Sequence, residues 1–462
     1  MAEKHIGDRQ MKVLLINPCY IHPLKRYIGG VIKLHPAPPL GLASIAAVLE
    51  ANNVSVKILD MVALDLRPED VTGIIRDFGP DIVGISCNMA FVHATAISIA
   101  NHIRSLLPIA PIIIGGSHAT FVAQEIIENN PSIDAVVLNE GEVTFLKVVL
   151  RLAENGTLSD IQGVCIRDKA TNRPVITASP VSIENLDSLP TPARHLLPMD
   201  KYPAGLDGTR GIMTSSRGCP FKCVYCSTSV FHGRRFRYQS VDRMVDEIEI
   251  LKHKFGANFI SFADDTFTLN RLRVLEFCSK LIERNMQIQW GCDTRVDLVD
   301  PELLSVMRAA GCNVIFFGIE SASQAVLDRM EKGFKIERAK QAVWETRQAG
   351  IEAQVSFVIG LPGETYASTL KMKNFLDETK ADGVLYNILI AYPGSRLYEN
   401  PEAYGISSFS TEWESCEQMR PMVQVDQMSH DEIRRAYVYL VSHLRDRAND
   451  KAVAAKKIDA WS

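Results

Sequence analysis

Arg217-Gly218-Cys219-Pro220-Phe221-Lys222-Cys223-Val224-Tyr225-Cys226 decides how this chain is read. The spacing Cys-x3-Cys-x2-Cys sets three thiolates on one tight turn. Thiolates are the usual protein ligands of iron–sulfur clusters. A cube of four irons held by three cysteines keeps one iron for a ligand that is not protein, which suits chemistry on a bound small molecule. A zinc site needs a fourth Cys or His at metal-ligand spacing, and neither His195 nor His232 supplies it. Ten cysteines in 462 residues are too dilute for a disulfide framework.

Outward from the cysteines, short apolar runs alternate with helical patterns. Strands are expected at 211–215, 258–263, 288–292, 314–317, 352–359 and 384–390, and helices at 241–255, 271–285, 301–310, 337–349 and 366–380. This rhythm predicts a partial (β/α)6 barrel over 206–400. Barrel chemistry sits at the C-terminal ends of the strands, and the cysteine loop follows the first strand directly. Other strand ends carry Asp264-Asp265, Thr294-Arg295, Glu320-Ser321 and Gly360-Leu-Pro-Gly363-Glu. Bland roles stay open for each: a helix cap for either aspartate, a salt bridge for Arg295, plain turns for the glycines. Cys278, Cys292 and Cys312 are too dispersed for a second cluster.

Residues 11–150 show an earlier βα series, with strands expected at 12–17, 54–59, 81–86, 111–114 and 135–138. Such a series makes a Rossmann-like parallel sheet that takes ligands beyond the carboxyl ends of its strands. Those ends read Asn17-Pro18, Ser86-Cys87-Asn88, Gly115-Gly116-Ser117-His118 and Asn139-Glu140-Gly141. No Gly-x-Gly-x-x-Gly follows the first strand, which disfavours a dinucleotide. His118 suits either a metal or a hydrogen bond to backbone or to a ligand edge. Cys19 and Cys87 read as inert small residues.

Residues 151–205 form a connector, with a small hairpin around 168–173 and then four prolines that exclude a regular element. From 401 to 462 the βα rhythm stops. Ser429-x-x-Glu432 is a capping box, and Ile433, Tyr437, Leu440, Val441 and Leu444 make one helical stripe, packed on the barrel or serving as a lid. Beyond Ala448 the chain is expected to fray. The net charge of −4 leaves no electrostatic footprint for nucleic acid. No apolar run approaches the roughly 18 residues of a membrane span. The polar first ten residues have no signal-peptide core and read as a disordered lead, so a cytoplasmic protein is expected.

The barrel segment resembles the radical S-adenosylmethionine (SAM) core, whose specific signature is this cysteine spacing. The run Pro38-Pro-Leu-Gly41-Leu-Ala-Ser-Ile-Ala-Ala-Val-Leu, with Val83-Gly-Ile-Ser86, Gly115-Gly-Ser-His118-Ala-Thr and Glu140-Gly141-Glu-x-x-Phe145, resembles the cobalamin domain of cobalamin-dependent radical SAM enzymes. The resemblance implies a [4Fe–4S] cluster on Cys219, Cys223 and Cys226. It implies SAM against Tyr225, Asp264, Asp265, Arg295, Glu320, Ser321, Gly360 and Gly363. It implies cobalamin against Asn17, Gly41, Ser86, Cys87, Asn88, Gly115, Gly116, His118, Glu140 and Gly141. The Asp-x-His-x-x-Gly that supplies a lower cobalt ligand in many cobalamin proteins is absent, as in many radical SAM members. An electron donor such as a flavodoxin or ferredoxin is a family expectation.

The resemblance implies a methyltransferase acting on an unactivated carbon of a small molecule. One SAM gives its methyl to cobalamin, and a second is cleaved to a 5′-deoxyadenosyl radical that removes hydrogen from the substrate. The rivals are a cyclase or rearrangement enzyme on the same cofactors and a radical SAM enzyme with a vestigial first domain. A methylthiotransferase is disfavoured because the first domain lacks its own cysteine triad, and a non-catalytic sensor because the triad at 219–226 is intact.

Overall fold

The computed structural model describes residues 10–19, 36–180, 182–205, 208–413 and 420–459, those from 445 onward by backbone alone. The expected disordered lead at 1–9 lies outside the described residues. The chain divides into two compact units. One comprises Met1–Pro220, Thr228–Ala263 and Trp413–Ser415, the other Phe221–Ser227, Asp264–Glu412 and Cys416–Ser462.

In the first unit, apolar runs buried on both faces become parallel strands, as expected when helices cover a sheet. The elements are β1 (Lys12–Asn17), α1 (Leu40–Glu50), β2 (Ser55–Asp60), α2 (Val71–Phe78), β3 (Ile82–Ser86), α3 (His93–Leu106), β4 (Ile112–Gly115), α4 (Ser117–Phe121), α5 (Ala123–Asn129), β5 (Ala135–Val137) and α6 (Gly141–Ala153). The strand order β2-β1-β3-β4-β5 is parallel throughout. Alternation along β1 sends Leu14 and Ile16 into one core and Val13 and Leu15 into the other. Each such buried side chain stabilises by about 1.5–3 kcal/mol. The order reverses at β1, so the crevice beyond β1 and β3 is the switch point where such sheets take ligands.

The hairpin that the sequence assigns to the connector belongs to this sheet. Strands β6 (Val164–Arg167) and β7 (Pro174–Ile176) extend it antiparallel from β5. The proline-rich stretch that follows is packed rather than loose. Arg194 is buried, pairs with Glu247 at 2.7 Å and donates to the Ile212 carbonyl. The fully buried Tyr202 donates its hydroxyl to Asp60 at 2.6 Å.

The same unit holds β8 (Ile212–Met213), β9 (Ser216–Arg217), α7 (Thr228–Phe231), β10 (Arg237–Tyr238), α8 (Val241–Phe255) and β11 (Phe259–Phe262). Strands β8 and β11 pair parallel, and β9 and β10 antiparallel. Helix α8 starts where the Ser240 hydroxyl accepts from the Arg243 amide, and it stops at Gly256 in the left-handed region.

The second unit continues the βα alternation through α9 (Arg271–Glu283), β12 (Gln289–Thr294), α10 (Pro301–Ala309), β13 (Cys312–Glu320), α11 (Gln324–Arg329), α12 (Ile336–Gln348), β14 (Glu352–Ile359), α13 (Tyr366–Thr369), α14 (Lys371–Thr379) and β15 (Gly383–Ile388). Strands β12 to β15 pair parallel in sequence order. After α15 (Arg396–Glu399), a hairpin of β16 (Ile406–Phe409) and β17 (Val423–Val425) precedes α16 (His430–Asp459). The expected capping box is present: the Ser429 amide donates to Glu432 at 2.9 Å, and the Glu432 amide donates back to the Ser429 hydroxyl. Ile433 and Leu440 are buried on the expected stripe. The helix continues to Asp459, past the expected fraying point. No described helix is long and apolar enough to cross a membrane.

Candidate cofactor sites at the strand ends

Gly218 to Ser227 runs without strand or helix and carries the three cysteines. All three are half-buried, unlike the buried Cys87, Cys278, Cys292 and Cys312. The Cys226 amide donates to the Cys223 carbonyl at 3.2 Å, closing the turn that brings these two residues together. The Val224 amide is anchored on the Met330 carbonyl. Three half-buried thiols on one loop fit the donor set of a cluster with one open iron.

Tyr225 lies in the same turn. Its hydroxyl donates to Oε1 of Glu320 at 3.2 Å and accepts from Nζ of Lys332 at 3.0 Å. Burial first, and then the Glu320 charge, push the phenol well above its ordinary range, so it stays a neutral donor. Glu320 ends β13 at a φ of 74°, a conformation that side chains other than glycine take at a cost and that clusters at functional sites. The Ser321 hydroxyl donates to Glu364 at 2.9 Å, and the Gly360 amide donates to the other Glu364 oxygen at 3.0 Å. Glu364 is fully buried, and burial raises its carboxyl to about 7 against the pull of these hydrogen bonds. The Gly363 amide donates to Gln427.

Asp264 is buried and 3.4 Å from Arg273; Asp265 beside it is half-buried. Asp293 on β12 adds a third acid. Asp293 is exposed at its surface, yet desolvation of its carboxyl by the surrounding protein, and then the charges of Asp264 and Asp265, raise it to about 7. Arg295 is held by a fork to Asp297, both bonds 3.0 Å, and its guanidinium carbon lies 3.7 Å from the centroid of Phe221. Its Nη1 is buried with no hydrogen-bond partner among the described residues, a donor that suits an anionic ligand group. Lys332 is the cation nearest the Tyr225–Glu320 pair. Sequence reasoning misses Lys332 because a lysine in a loop twelve residues past Glu320 carries no spacing signal. Glu364 it quotes only as the end of a glycine turn.

At the crevice of the first sheet, the Asn88 amide donates to the Ser86 hydroxyl at 2.9 Å. Gly116 has φ 118°, and a Cβ there would stand 2.3 Å from Asn88 Oδ1 and 2.9 Å from the Cys87 backbone. This closeness brings the loops after β3 and β4 together. Gly115 is less constrained, and a Cβ at Gly41 would meet nothing within 4 Å among the described residues. That open space at the first turn of α1 fits close approach by a planar ligand. Burial raises the Cys87 thiol to about 12, which disfavours its thiolate form. His118 is buried, its Nε2 3.1 Å from His93 Nδ1 and its ring edge-on to Trp413. Burial and then His93 lower its pKa to about 3, so the imidazole is neutral.

Two expected cobalamin contacts are engaged elsewhere. The Asn17 side chain donates to Asp60 at 2.8 Å, which orders the turn after β2. Glu140 is the centre of an ion network. Burial alone would raise its carboxyl, but hydrogen bonds from His232 and Arg237 and the charges of Arg217 and Arg237 hold it far below the usual range. Gly141 opens α6, and a Cβ there would press on Ile45 at 2.9 Å.

Comparison with known proteins agrees with both halves of this picture. The family model of the Radical SAM superfamily matches residues 213–376, and that of the B12 binding domain matches residues 33–149. An uncharacterized methyltransferase from Pyrococcus horikoshii is 34% identical over 435 residues, which cover 93% of this chain and 92% of the relative. An anaerobic magnesium-protoporphyrin IX monomethyl ester cyclase from Rubrivivax gelatinosus is 30% identical over 436 residues, covering 92% of this chain and 75% of the relative. The structure of the radical SAM methyltransferase TsrM from Kitasatospora setae, with cobalamin and a [4Fe–4S] cluster bound, shares the fold. Its TM-score is 0.71 at 18% identity, over 92% of this chain and 84% of that one. Both family models match one chain, and 34% identity to the Pyrococcus methyltransferase runs over nearly its full length: the chain belongs to the cobalamin-dependent radical SAM enzymes and works with a [4Fe–4S] cluster, SAM and cobalamin.

Proposed function

We propose that the protein methylates an unactivated carbon of a small-molecule substrate, using SAM both as methyl source and as radical source. The observation that carries this reading is the end-to-end match to a methyltransferase, whereas the cyclase extends beyond the matched region. When bound, the three cofactors supply a carbon radical able to take hydrogen from an unactivated carbon and a carrier for the methyl group.

The chain's residues hold and shield. Cys219, Cys223 and Cys226 provide three thiolates. Lys332 and the orphaned Nη1 of Arg295 offer positive charge to the SAM carboxylate. Asp264 and Asp265 offer negative charge to its ammonium. Glu320 and Ser321 suit ribose hydroxyls, and the Gly360–Gly363 turn suits the adenine. Gly41, Gly115 and Gly116 admit the corrin, with His118 a neutral imidazole beside it. A low-potential one-electron donor is required, and a flavodoxin or ferredoxin fits that need.

Anaerobic incubation of the reconstituted enzyme with SAM and fractionated small-molecule extract tests the proposal. Methyl transfer predicts S-adenosylhomocysteine and 5′-deoxyadenosine formed together, with one extract component gaining a methyl. Deoxyadenosine with no S-adenosylhomocysteine favours the cyclase reading, which the 30% identity to the cyclase keeps in view.

A further inference from the structure

Arg217 and Arg237 are direct partners across the antiparallel β9–β10 ribbon. Like charges opposite one another destabilise a ladder, and these two guanidinium groups are only 17% and 5% exposed. Burying both requires anions. Glu140 and Glu142, either side of the first residue of α6, supply them. Arg237 makes a fork to Glu140, at 2.9 and 2.7 Å. Arg217 reaches Glu142 at 2.5 Å and Glu140 at 3.5 Å. His232 Nδ1 adds a bond to Glu140 at 3.1 Å. The two carboxylates also stand at a helix N-terminus, where negative charge is favoured.

The ribbon is where the cysteine loop leaves and returns. Arg217 stands two residues before Cys219, and His232 and Arg237 follow the loop and α7. Gly218, at φ 89°, would put a Cβ 2.2 Å from the Arg235 carbonyl oxygen, so the chain is tight where the loop begins. We infer that Glu140 and Glu142 are positioning residues for the iron–sulfur loop, not cobalamin contacts: they neutralise the arginine pair and so fix the backbone that carries Cys219. The inference rests on the reading of that loop as the cluster site.

The test uses the full chain, reconstituted anaerobically with iron, sulfide and hydroxocobalamin, as wild type, Glu140→Gln, Glu142→Gln, Arg217→Gln and Arg217→Lys. Three quantities are read: the first-order rate at which a chelator strips iron, the electron paramagnetic resonance g-values of the reduced cluster with SAM, and the Kd for hydroxocobalamin. Glu140→Gln, Glu142→Gln and Arg217→Gln are expected to speed iron loss at least tenfold and shift the g-values, with cobalamin Kd changed less than threefold. Arg217→Lys, which keeps the charge, is expected to recover most of the wild-type rate. A tenfold weaker cobalamin Kd in Glu140→Gln, with iron loss and g-values unchanged, overturns the inference. Should Glu140→Gln fail to fold, unchanged iron loss in Glu142→Gln and Arg217→Gln overturns it equally. A wild type that holds no iron overturns the cluster reading itself.

Discussion

The Tyr225 hydroxyl donates to Glu320 across 3.2 Å and so ties the aromatic residue of the cysteine loop to the end of β13. Lys332 completes the group, 3.4 Å from Glu320 and almost fully buried. Removing one partner of a buried pair leaves the other charge uncompensated, at a cost of about 3 kcal/mol. Lys332→Met is therefore expected to destabilise the protein by that order. The double variant Lys332→Met/Glu320→Gln recovers most of the loss in urea unfolding. Both bind SAM at least tenfold more weakly by equilibrium dialysis if Lys332 receives its carboxylate.

Each single change Cys219→Ala, Cys223→Ala or Cys226→Ala removes one of three thiolates. Iron is expected to fall from about four per chain to below about one after anaerobic reconstitution. Cobalamin content is expected to stay at the wild-type level. Loss of iron in a Cys278→Ala variant would run against the assignment, because that thiol is buried and burial pushes it up to about 12.

Two glycines of the first sheet separate folding from ligand approach. Gly116→Ala forces a Cβ against Asn88 and Cys87 at a φ of 118°. A loss of about 2 kcal/mol is expected in thermal or urea unfolding. Gly41→Ala meets nothing among the described residues and replaces a glycine in a helix, so stability is expected to rise by about 0.5 kcal/mol. If cobalamin lies against that open face, the same change weakens its binding tenfold in spectrophotometric titration.

Glu364 gives a pH dependence with a definite sign. Burial raises its folded pKa from 4.5 to about 7. Between those values the folded state binds more protons than the unfolded state, so this contribution is complete below pH 4.5 and is lost as pH rises through 7. Glu364→Gln cannot ionise; its carbonyl oxygen keeps an acceptor for the Gly360 amide, while its NH2 donates to the Ser321 hydroxyl, which turns from donor to acceptor. The plot of unfolding free energy against pH is expected to fall less steeply in the variant between pH 5 and 7, by up to about 1.4 kcal/mol per unit. Parallel plots for wild type and variant would contradict the assignment.

Much of this architecture is legible because its signals are local. Continuous apolar runs such as Lys12–Asn17 and the capping residues of α8 and α16 announce elements without tertiary help. The cysteine spacing places three ligands on one loop for the same reason. Charge pairing is different, because Glu140 meets Arg237 across 97 residues and Lys332 meets Tyr225 across 107. No periodicity encodes such partners. Glycine-rich strand ends also conceal their neighbours: Asn17 and Glu140 sit where a ligand is expected, yet Asp60 and the arginine pair engage them. The hairpin of β6 and β7 read as connector because its few residues carry no sign of the sheet edge they join.

Methyl transfer through cobalamin is the step on which the proposed function stands or falls. The most direct test incubates the anaerobically reconstituted protein with a low-potential reductant and SAM bearing a trideuterated methyl, with no other substrate, and reads the products by mass spectrometry. Trideuterated methylcobalamin together with S-adenosylhomocysteine, absent from a protein-free control, is the predicted result. Deoxyadenosine as the sole SAM product, with cobalamin bound and unmethylated, would contradict it.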